Sequence, residues 1–330
     1  VPKRAKGIGL LSGGLDSILA VKVLQEQDLE ILGITFTTPF FQAEPGIRAG
    51  RTAGIPVRAL DITEEFLRML RKPRYGFGSQ MNPCIDCHAL MLQRGGRIME
   101  EEEGDFLFTG EVLGQRPMSQ RRDSLKSVEN LSGYGGLVLR PLSAKLLDPT
   151  RVELEGLVDR ERLLDIHGRS RKRQVELAAH YGIGEYPQPG GGCMLTKEGF
   201  ARKLRELLKL YPDASGREVE MLKYGRHFYL PGDILFMVGR NLRDNDKLEA
   251  LSSSEDVLLR IPDYPSPLGI MVRPPSLQKE SLEVAARVLI AYSDAPVSHS
   301  IGVEWTHRER KNMMTTGGMT RAESQKLMIT

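Results

Sequence analysis

A chain of 330 residues is too long for one ordinary domain and too short for three, so two domains with full-sized cores are expected. Its 40% hydrophobic and 27% charged residues are those of a soluble globular protein, and no apolar run approaches the ~18 residues of a membrane span. The net charge of +3 balances 46 bases against 43 acids, so a nucleic-acid partner has to be sought in local patches rather than in bulk charge. The opening residues, Val-Pro-Lys-Arg-Ala-Lys, run into an apolar stretch without the features of a signal peptide, which predicts a cytoplasmic protein with no membrane partner. In chain order, residues 7–11 predict a strand, 12–17 a glycine turn and 18–26 a helix with apolar residues at helical spacing. Short apolar runs at 30–35, 56–60 and 105–109 alternate with helical patterns at 63–71 and 89–103. That alternation predicts an α/β fold with a doubly wound parallel sheet. After the Gly/Pro-dense segment 182–192 the pattern changes to an amphipathic helix at 196–210, capped by Thr196, and then to short β-type runs at 227–230, 234–238, 257–261 and 269–272. One further helix, 281–292, precedes a Thr- and Met-containing tail. The expected division is a first domain over 1–195 and a smaller α+β domain over 196–330.

Three cysteines are an odd number, and their placement is restrictive. Cys84-Ile85-Asp86-Cys87 forms a pair and Cys193 lies far from it, which excludes a secreted disulfide framework in practice. A metal site, a redox pair and buried thiols are the alternatives. Cys84 and Cys87 stand just before a predicted helix and Cys193 follows Gly190-Gly191-Gly192, a loop that permits close approach of a thiolate to a metal. Three thiolates cannot complete a zinc tetrahedron without His88 or another residue, but they can hold a [4Fe-4S] cluster with one iron open.

Ser12-Gly13-Gly14-Leu15-Asp16-Ser17 lies between a strand and a helix start, where backbone N–H groups and the positive helix terminus bind phosphate. The glycines let the backbone approach an anion, the serines add donors, and Asp16 is placed to hold Mg2+ against the phosphates. It is neither a Walker A loop nor a Gly-x-Gly-x-x-Gly fingerprint. The hexapeptide resembles the pyrophosphate-binding loop of the PP-loop ATP pyrophosphatases, which cleave ATP between its α and β phosphates and pass AMP to an acceptor oxygen. Thr109-Gly110-Glu111-Val112-Leu113-Gly114-Gln115, then Met118-Ser119-Gln120 and Val138-Leu139-Arg140-Pro141-Leu142, resemble segments of the 4-thiouridine synthetases. The resemblance spans roughly residues 6 to 180 and implies an ATP site lined by Leu10, Leu11, Ser12, Gly13, Gly14, Asp16, Ser17, Thr35, Phe36, Gly110 and Gln120, with Gln115 a rival for the role of Gln120. The pair-plus-one cysteine pattern is similar to that of the iron–sulfur class of PP-loop tRNA thiolases. This implies Cys84, Cys87 and Cys193 as cluster ligands and, with Asp16, as catalytic residues. The alternatives are a persulfide-bearing couple, Cys84 with Cys87 or Cys84 with Cys193, and a structural zinc with His88.

In the second domain, Val238-Gly239-Arg240-Asn241-Leu242-Arg243-Asp244-Asn245-Asp246-Lys247-Leu248 resembles a motif of the NFACT RNA-binding domain, which implies RNA contacts from Arg240, Asn241, Arg243 and Asn245. The other reading of this segment is a solvated polar hairpin turn. Residues 201–330 carry 19 Lys/Arg against 17 Asp/Glu, so RNA affinity there has to come from clustering. Basic groups at Arg71, Lys72 and Arg74, at Arg116, Arg121 and Arg122, and at Arg169 and 171–173 would form a rim for the same partner. Together these resemblances imply an ATP-dependent tRNA sulfurtransferase that adenylates a uridine carbonyl and replaces its oxygen with sulfur, forming 4-thiouridine, with 2-thiouridine the runner-up. ATP, Mg2+ and a [4Fe-4S] cluster are the expected cofactors; tRNA and a sulfur donor, sulfide or a persulfide carrier, are the expected partners, and a homodimer is compatible. A PP-loop amide ligase and a ribosome- or tRNA-binding protein with a vestigial nucleotide site are the readings from other classes.

Overall fold

The computed structural model describes residues 4–186 and 193–329. The chain divides into two compact units, Val1–Thr196 and Lys197–Thr330. The first contains β1 (Lys6–Leu10), α1 (Leu15–Gln25), β2 (Glu30–Thr37), α2 (Glu44–Ala53), β3 (Val57–Asp61), α3 (Thr63–Arg71), α4 (Cys84–Glu101), β4 (Phe106–Thr109), α5 (Arg122–Ser132), β5 (Val138–Leu139), α6 (Arg151–Leu154) and α7 (Lys172–His180). All five strands are parallel, in the order β3-β2-β1-β4-β5. The chain winds outward from β1 to β3 and then restarts on the other side at β4, so the topological switch lies between β1 and β4.

Alternation along the strands explains why both faces are covered. On β4, Phe106 and Phe108 join the core built around α1, while Leu107 meets Gly95 of α4 on the other face. The rings of Phe106 and Phe108 lie over Gly7 and Gly9 of β1, where a Cβ at Gly9 would stand 2.3 Å from the Phe108 ring. Helix α1 is buried on nearly every side, with Leu15, Ile18, Leu19, Val21, Val23 and Leu24 all inside, which fits a central helix rather than an amphipathic one.

Among the boundaries that move relative to the sequence expectation, two matter for the site. Helix α1 begins at Leu15 because Gly14, in an extended conformation, serves as its N-cap. Helix α4 begins at Cys84 rather than Ala89: Pro83 precedes its first turn, the Cys87 N–H donates to the Pro83 carbonyl at 2.8 Å, and buried Asp86 accepts the backbone N–H groups of Arg74 (2.6 Å) and Tyr75 (3.0 Å). The Cys84/Cys87 pair is therefore in the first turn of a helix, not in the loop before it.

The second unit contains α8 (Glu198–Leu210), α9 (Gly216–Met221), β6 (Arg226–Leu230), β7 (Ile234–Val238), α10 (Leu242–Leu251), β8 (Val257–Arg260), β9 (Gly269–Met271), α11 (Lys279–Ala291), β10 (Ser300–His307), β11 (Arg310–Gly317) and α12 (Arg321–Gln325). Its six-stranded sheet, β11-β10-β8-β9-β7-β6, is antiparallel throughout, and its core combines Phe228, Phe236, Val257 and Leu259 with Ala285, Val288 and Leu289 of α11. Thr196 does not cap α8, since its hydroxyl donates back to the Cys193 carbonyl at 2.7 Å. The segment with a polar-turn alternative is a turn followed by helix α10, capped by Asn241, whose Oδ1 accepts the Asp244 N–H at 2.9 Å. Strand β11 lies in the tail that carried no strand signal. Its hairpin turns on Arg308 (φ 47°) and Glu309 (φ 65°), a left-handed pair without the usual Asn-Gly signature.

Asp256 is the buried anchor of this unit. Its carboxylate accepts from Arg217 Nη1 (2.6 Å) and from the N–H groups of Ser253 (2.8 Å) and Arg273 (3.0 Å). Asp256→Asn keeps the shape but leaves Arg217 with only Glu218 as its ionic partner, so it should destabilise this unit by roughly 1–3 kcal/mol. A urea titration followed by circular dichroism measures this, and an unchanged transition would refute the anchoring role.

Candidate active site

At the carboxyl end of the parallel sheet, on the switch between β1 and β4, lies a cavity of about 350 Å3. Leu10, Leu11, Ser12, Gly14, Asp16 and Ser17 line it from the first loop, Thr35 and Phe36 from the end of β2, and Gly110, Gln115 and Gln120 from the segment after β4. Of the residues expected to hold ATP, only Gly13 stays off the wall. Its φ of +86° lets the loop turn, and a Cβ there would meet Pro45 at 2.4 Å. The first turn of α1 has no side-chain cap: the Ser17 hydroxyl is spent on the Gly14 carbonyl at 2.7 Å. The N–H groups of Ser17 and Ile18 turn back to the Gly14 carbonyl, which leaves those of Leu15 and Asp16 at the helix terminus for an anion.

Gly110 closes the other side. A Cβ on it would lie 2.6 Å from the backbone carbonyl of Asp16 and the backbone nitrogen of Ser17, so only glycine lets the exit of β4 lie against the start of α1. The two rival glutamines separate here. Gln115 Nε2 donates to Asp16 Oδ2 at 3.0 Å, whereas the buried Gln120 Oε1 has no partner among the described residues. Asp16 Oδ1 is buried and unpartnered as well. An orphan carboxylate oxygen beside a phosphate-type loop suits Mg2+, which takes one or two carboxylates and completes its shell with water and phosphate oxygens.

The cysteines divide. Cys87 and Cys193 line the cavity; Cys84 does not, and its sulfur accepts Asn82 Nδ2 at 3.2 Å. Burial, and then the charges of Cys193 and Cys84, push the Cys87 thiol well above its ordinary value. Cys193 is exposed and Cys87 half-buried. Among the described residues no group of three His, Cys, Asp or Glu stands ready to hold a metal ion, so the expected cluster on Cys84, Cys87 and Cys193 has no preformed ligand cage, nor does a zinc site with His88. Gly190, Gly191 and Gly192 lie outside the described residues.

A buried ionic network that the sequence motifs did not disclose stands behind this wall. Glu111 accepts from Arg140 Nε (3.1 Å) and Thr109 Oγ1 (3.1 Å) on one oxygen and from His88 Nδ1 (2.7 Å) on the other. Arg140 is 3% exposed and pairs also with Glu129. Burial pushes the Glu111 carboxyl up, but the Arg140 guanidinium and His88 overcome it and hold the group down at about 2. The only sequence signals were Thr-Gly-Glu and Leu-Arg-Pro within the quoted motifs; the pairing itself is tertiary.

In the second unit, three of the four residues expected to touch RNA are engaged internally. Arg240 pairs with Asp244, Asn241 caps α10, and Asn245 Oδ1 accepts the Leu268 N–H at 3.1 Å. Arg243 is exposed. Of the basic rim, Arg116 lines the cavity, while Arg122 pairs with Asp148 and Arg173 with Asp165.

Residues 225–328 match the NFACT protein RNA binding domain. The chain is 25% identical over 258 residues to a tRNA-specific 2-thiouridylase MnmA of Syntrophus aciditrophicus, covering 70% of this chain and 62% of that one. A second tRNA-specific 2-thiouridylase MnmA, from Pelobacter propionicus, is 33% identical over 113 residues, covering 30% of this chain and 31% of its own length. The chain therefore spans less than two thirds of either relative. Among solved structures, a predicted subunit of a tRNA methyltransferase from Methanocaldococcus jannaschii overlaps 42% of this chain and 67% of its own, at 15% identity and a TM-score of 0.31. This chain thus joins similarity to tRNA thiolation enzymes with a match, over residues 225–328, to the NFACT protein RNA binding domain. The relatives are named for position 2 of uridine, whereas the sequence motifs resembled enzymes acting at position 4. Among the described residues no helix is long and apolar enough to cross a membrane.

Two outcomes follow. Gly110→Ala should force the β4 exit away from α1, costing about 1–3 kcal/mol and weakening ATP binding at least tenfold by calorimetry; unaltered affinity would show that the close approach is dispensable. Because the folded Glu111 carboxyl lies at about 2 against an ordinary 4.5, its stabilisation is fully present above about pH 4.5 and is lost as pH falls towards 2, a span of about 3 kcal/mol. Glu111→Gln should remove that component from the acid-unfolding curve of the first unit, and an identical curve would contradict the assignment.

Proposed function

We propose that this protein is an ATP-dependent tRNA sulfurtransferase that adenylates the O2 carbonyl of a uridine and replaces that oxygen with sulfur. The observation that carries the reading is the meeting of a phosphate-type loop and two cysteines on one cavity wall. The 2-thiouridylase names of the relatives support position 2; the motif resemblance to 4-thiouridine synthetases keeps position 4 as the competing outcome.

In this mechanism the carbonyl oxygen attacks the α-phosphorus of ATP, the bond to the β-phosphate oxygen breaks, and pyrophosphate leaves. The N–H groups of Leu15 and Asp16 at the start of α1, with the positive end of that helix, hold the departing charge. Asp16 would hold Mg2+ through Oδ1, and the ion, when bound, supplies further positive charge at the phosphates. Gln120 offers an unspent amide oxygen, an acceptor, to the nucleotide, while Gln115 steadies Asp16.

Sulfur arrives as a persulfide on Cys193, the exposed cysteine, which takes the outer sulfur of a persulfide carrier as the carrier's own thiol leaves. The outer sulfur attacks the adenylated carbon and AMP departs. Cys87 then attacks the inner sulfur, its thiol proton passing to the base as the S–S bond breaks, which leaves sulfur on the base and a Cys87–Cys193 disulfide for an external thiol to reduce. This pairing differs from the couples first considered, both of which used Cys84. No step is assigned to an iron–sulfur cluster, because the described cysteines do not form a ligand cage. The second unit, with Arg243 exposed and Arg240 half-exposed, holds the body of the tRNA through phosphate and 2′-hydroxyl contacts.

The test is incubation of unmodified tRNA with ATP, Mg2+ and a persulfide donor, followed by mass spectrometry of nucleosides. 2-Thiouridine should form, and Cys87→Ala and Cys193→Ala should each abolish it while retaining ATP binding; Cys84→Ala should keep at least a tenth of the activity. Absence of any thiolated nucleoside would overturn the reading and favour an amide-forming ligase, and unimpaired 2-thiouridine from the Cys87 and Cys193 variants would overturn the sulfur-transfer roles given to these two cysteines.

A further inference from the structure

The cavity contains a side chain for which the sulfur chemistry above has no use. His88 follows Cys87 on α4, and its ring lines the same wall together with Met91 and Leu92, one turn further along the helix. Its Nδ1 lies 2.7 Å from Glu111 Oε1. Glu111 is held ionised by its surroundings, so its oxygens only accept, and Nδ1 must be the protonated nitrogen. The other carboxylate oxygen is occupied by Arg140 Nε and Thr109 Oγ1, and Arg140 is anchored in turn by Glu129. The carboxylate therefore cannot turn, and the imidazole plane is fixed by a chain of buried contacts reaching back to α5. No described residue takes up Nε2, which in the neutral ring carries a lone pair and accepts a hydrogen bond.

The base to be thiolated must bring one carbon to the sulfur of Cys87 and Cys193, which places its edge beside His88. A uracil edge presents the N3–H donor next to C2; a cytosine edge presents a bare N3 acceptor at the same place. Both bases carry the same C2 carbonyl, so the reaction chemistry at position 2 does not by itself tell them apart.

We propose that His88 is the specificity-determining residue for uridine, its Nε2 accepting the N3–H of the target base while Glu111 acts as the positioning residue that fixes the ring. Against cytosine two lone pairs would face each other, a mismatch worth about 100-fold in kcat/KM. Met91 and Leu92 supply the apolar surface beside that edge. The proposal rests on the position-2 reading given above.

The experiment uses the full-length protein and paired tRNA transcripts that differ only in carrying uridine or cytidine at the position where the wild-type enzyme installs sulfur. Wild type should prefer uridine by about 100-fold in kcat/KM. His88→Asn keeps an N–H for Glu111 but presents nothing in place of Nε2, so the preference should fall at least tenfold and 2-thiocytidine should appear. His88→Gln can return an amide oxygen to the place of Nε2 and should recover part of the preference. Retained circular dichroism and ATP binding show that each variant is folded; should His88→Asn not fold, the His88→Gln ratio decides, since that variant must sit between 1 and the wild-type value. A uniform loss of rate on both transcripts with an unchanged ratio would make His88 merely structural and overturn the proposal while leaving the thiolation reading intact. Wild type yielding 4-thiouridine, or no thiolated base, would overturn the position-2 reading and this proposal with it.

Discussion

The first unit depends on one steric constraint: the exit of β4 has to pass within van der Waals distance of the first turn of α1. Gly110 makes this possible, and any Cβ there would press on the backbone of Asp16 and Ser17. With the two segments in contact, the phosphate-type loop and the motif after β4 become two sides of one cavity. Gln115 then reaches Asp16, Gln120 turns an unspent oxygen inward, and the beginning of α4 brings Cys87 and His88 to the same space. The switch in winding direction between β1 and β4 creates the crevice, and the glycine sets its width.

The second organising interaction is the buried chain from His88 through Glu111 and Arg140 to Glu129. It links α4, the end of β4, the end of β5 and α5, four elements that a purely apolar core would leave free to slide by small amounts. Burying these charges carries a desolvation cost that their mutual attraction has to offset, so the network is not an obvious gain in stability. What it provides is orientation, since a carboxylate with both oxygens occupied fixes the plane of the imidazole that faces the cavity.

Much of this was legible in the residues, and what was not has physical reasons. The parallel sheet followed from apolar runs alternating with helical patterns, and the loop at 12–17 from glycines and serines between a strand and a helix. The start of α4 was misplaced because Pro83 and a Cys-x-x-Cys read as loop, whereas the turn is held by Asp86, whose partners Arg74 and Tyr75 lie on a preceding segment. Strand β11 was missed because its turn residues, Arg308 and Glu309, adopt left-handed conformations without glycine or asparagine to announce them. The motif at 238–248 suggested donors for RNA, yet Arg240 also donates to Asp244, while Asn241 and Asn245 use their side-chain oxygens to accept the N–H groups of Asp244 and Leu268. The Glu111–Arg140 pair joins residues on separate strand ends, and nothing in local spacing predicts it.

The central claim is that the base oxygen itself attacks ATP, so the most direct measurement follows that atom. A tRNA transcript labelled with 18O at O2 of the target uridine, incubated with ATP, Mg2+ and a persulfide donor, should transfer the label to the phosphate of AMP, one atom for each thiolated base formed. Label recovered in water or pyrophosphate, or AMP formed without it, would contradict adenylation of the carbonyl and with it the account of the cavity as a thiolation site.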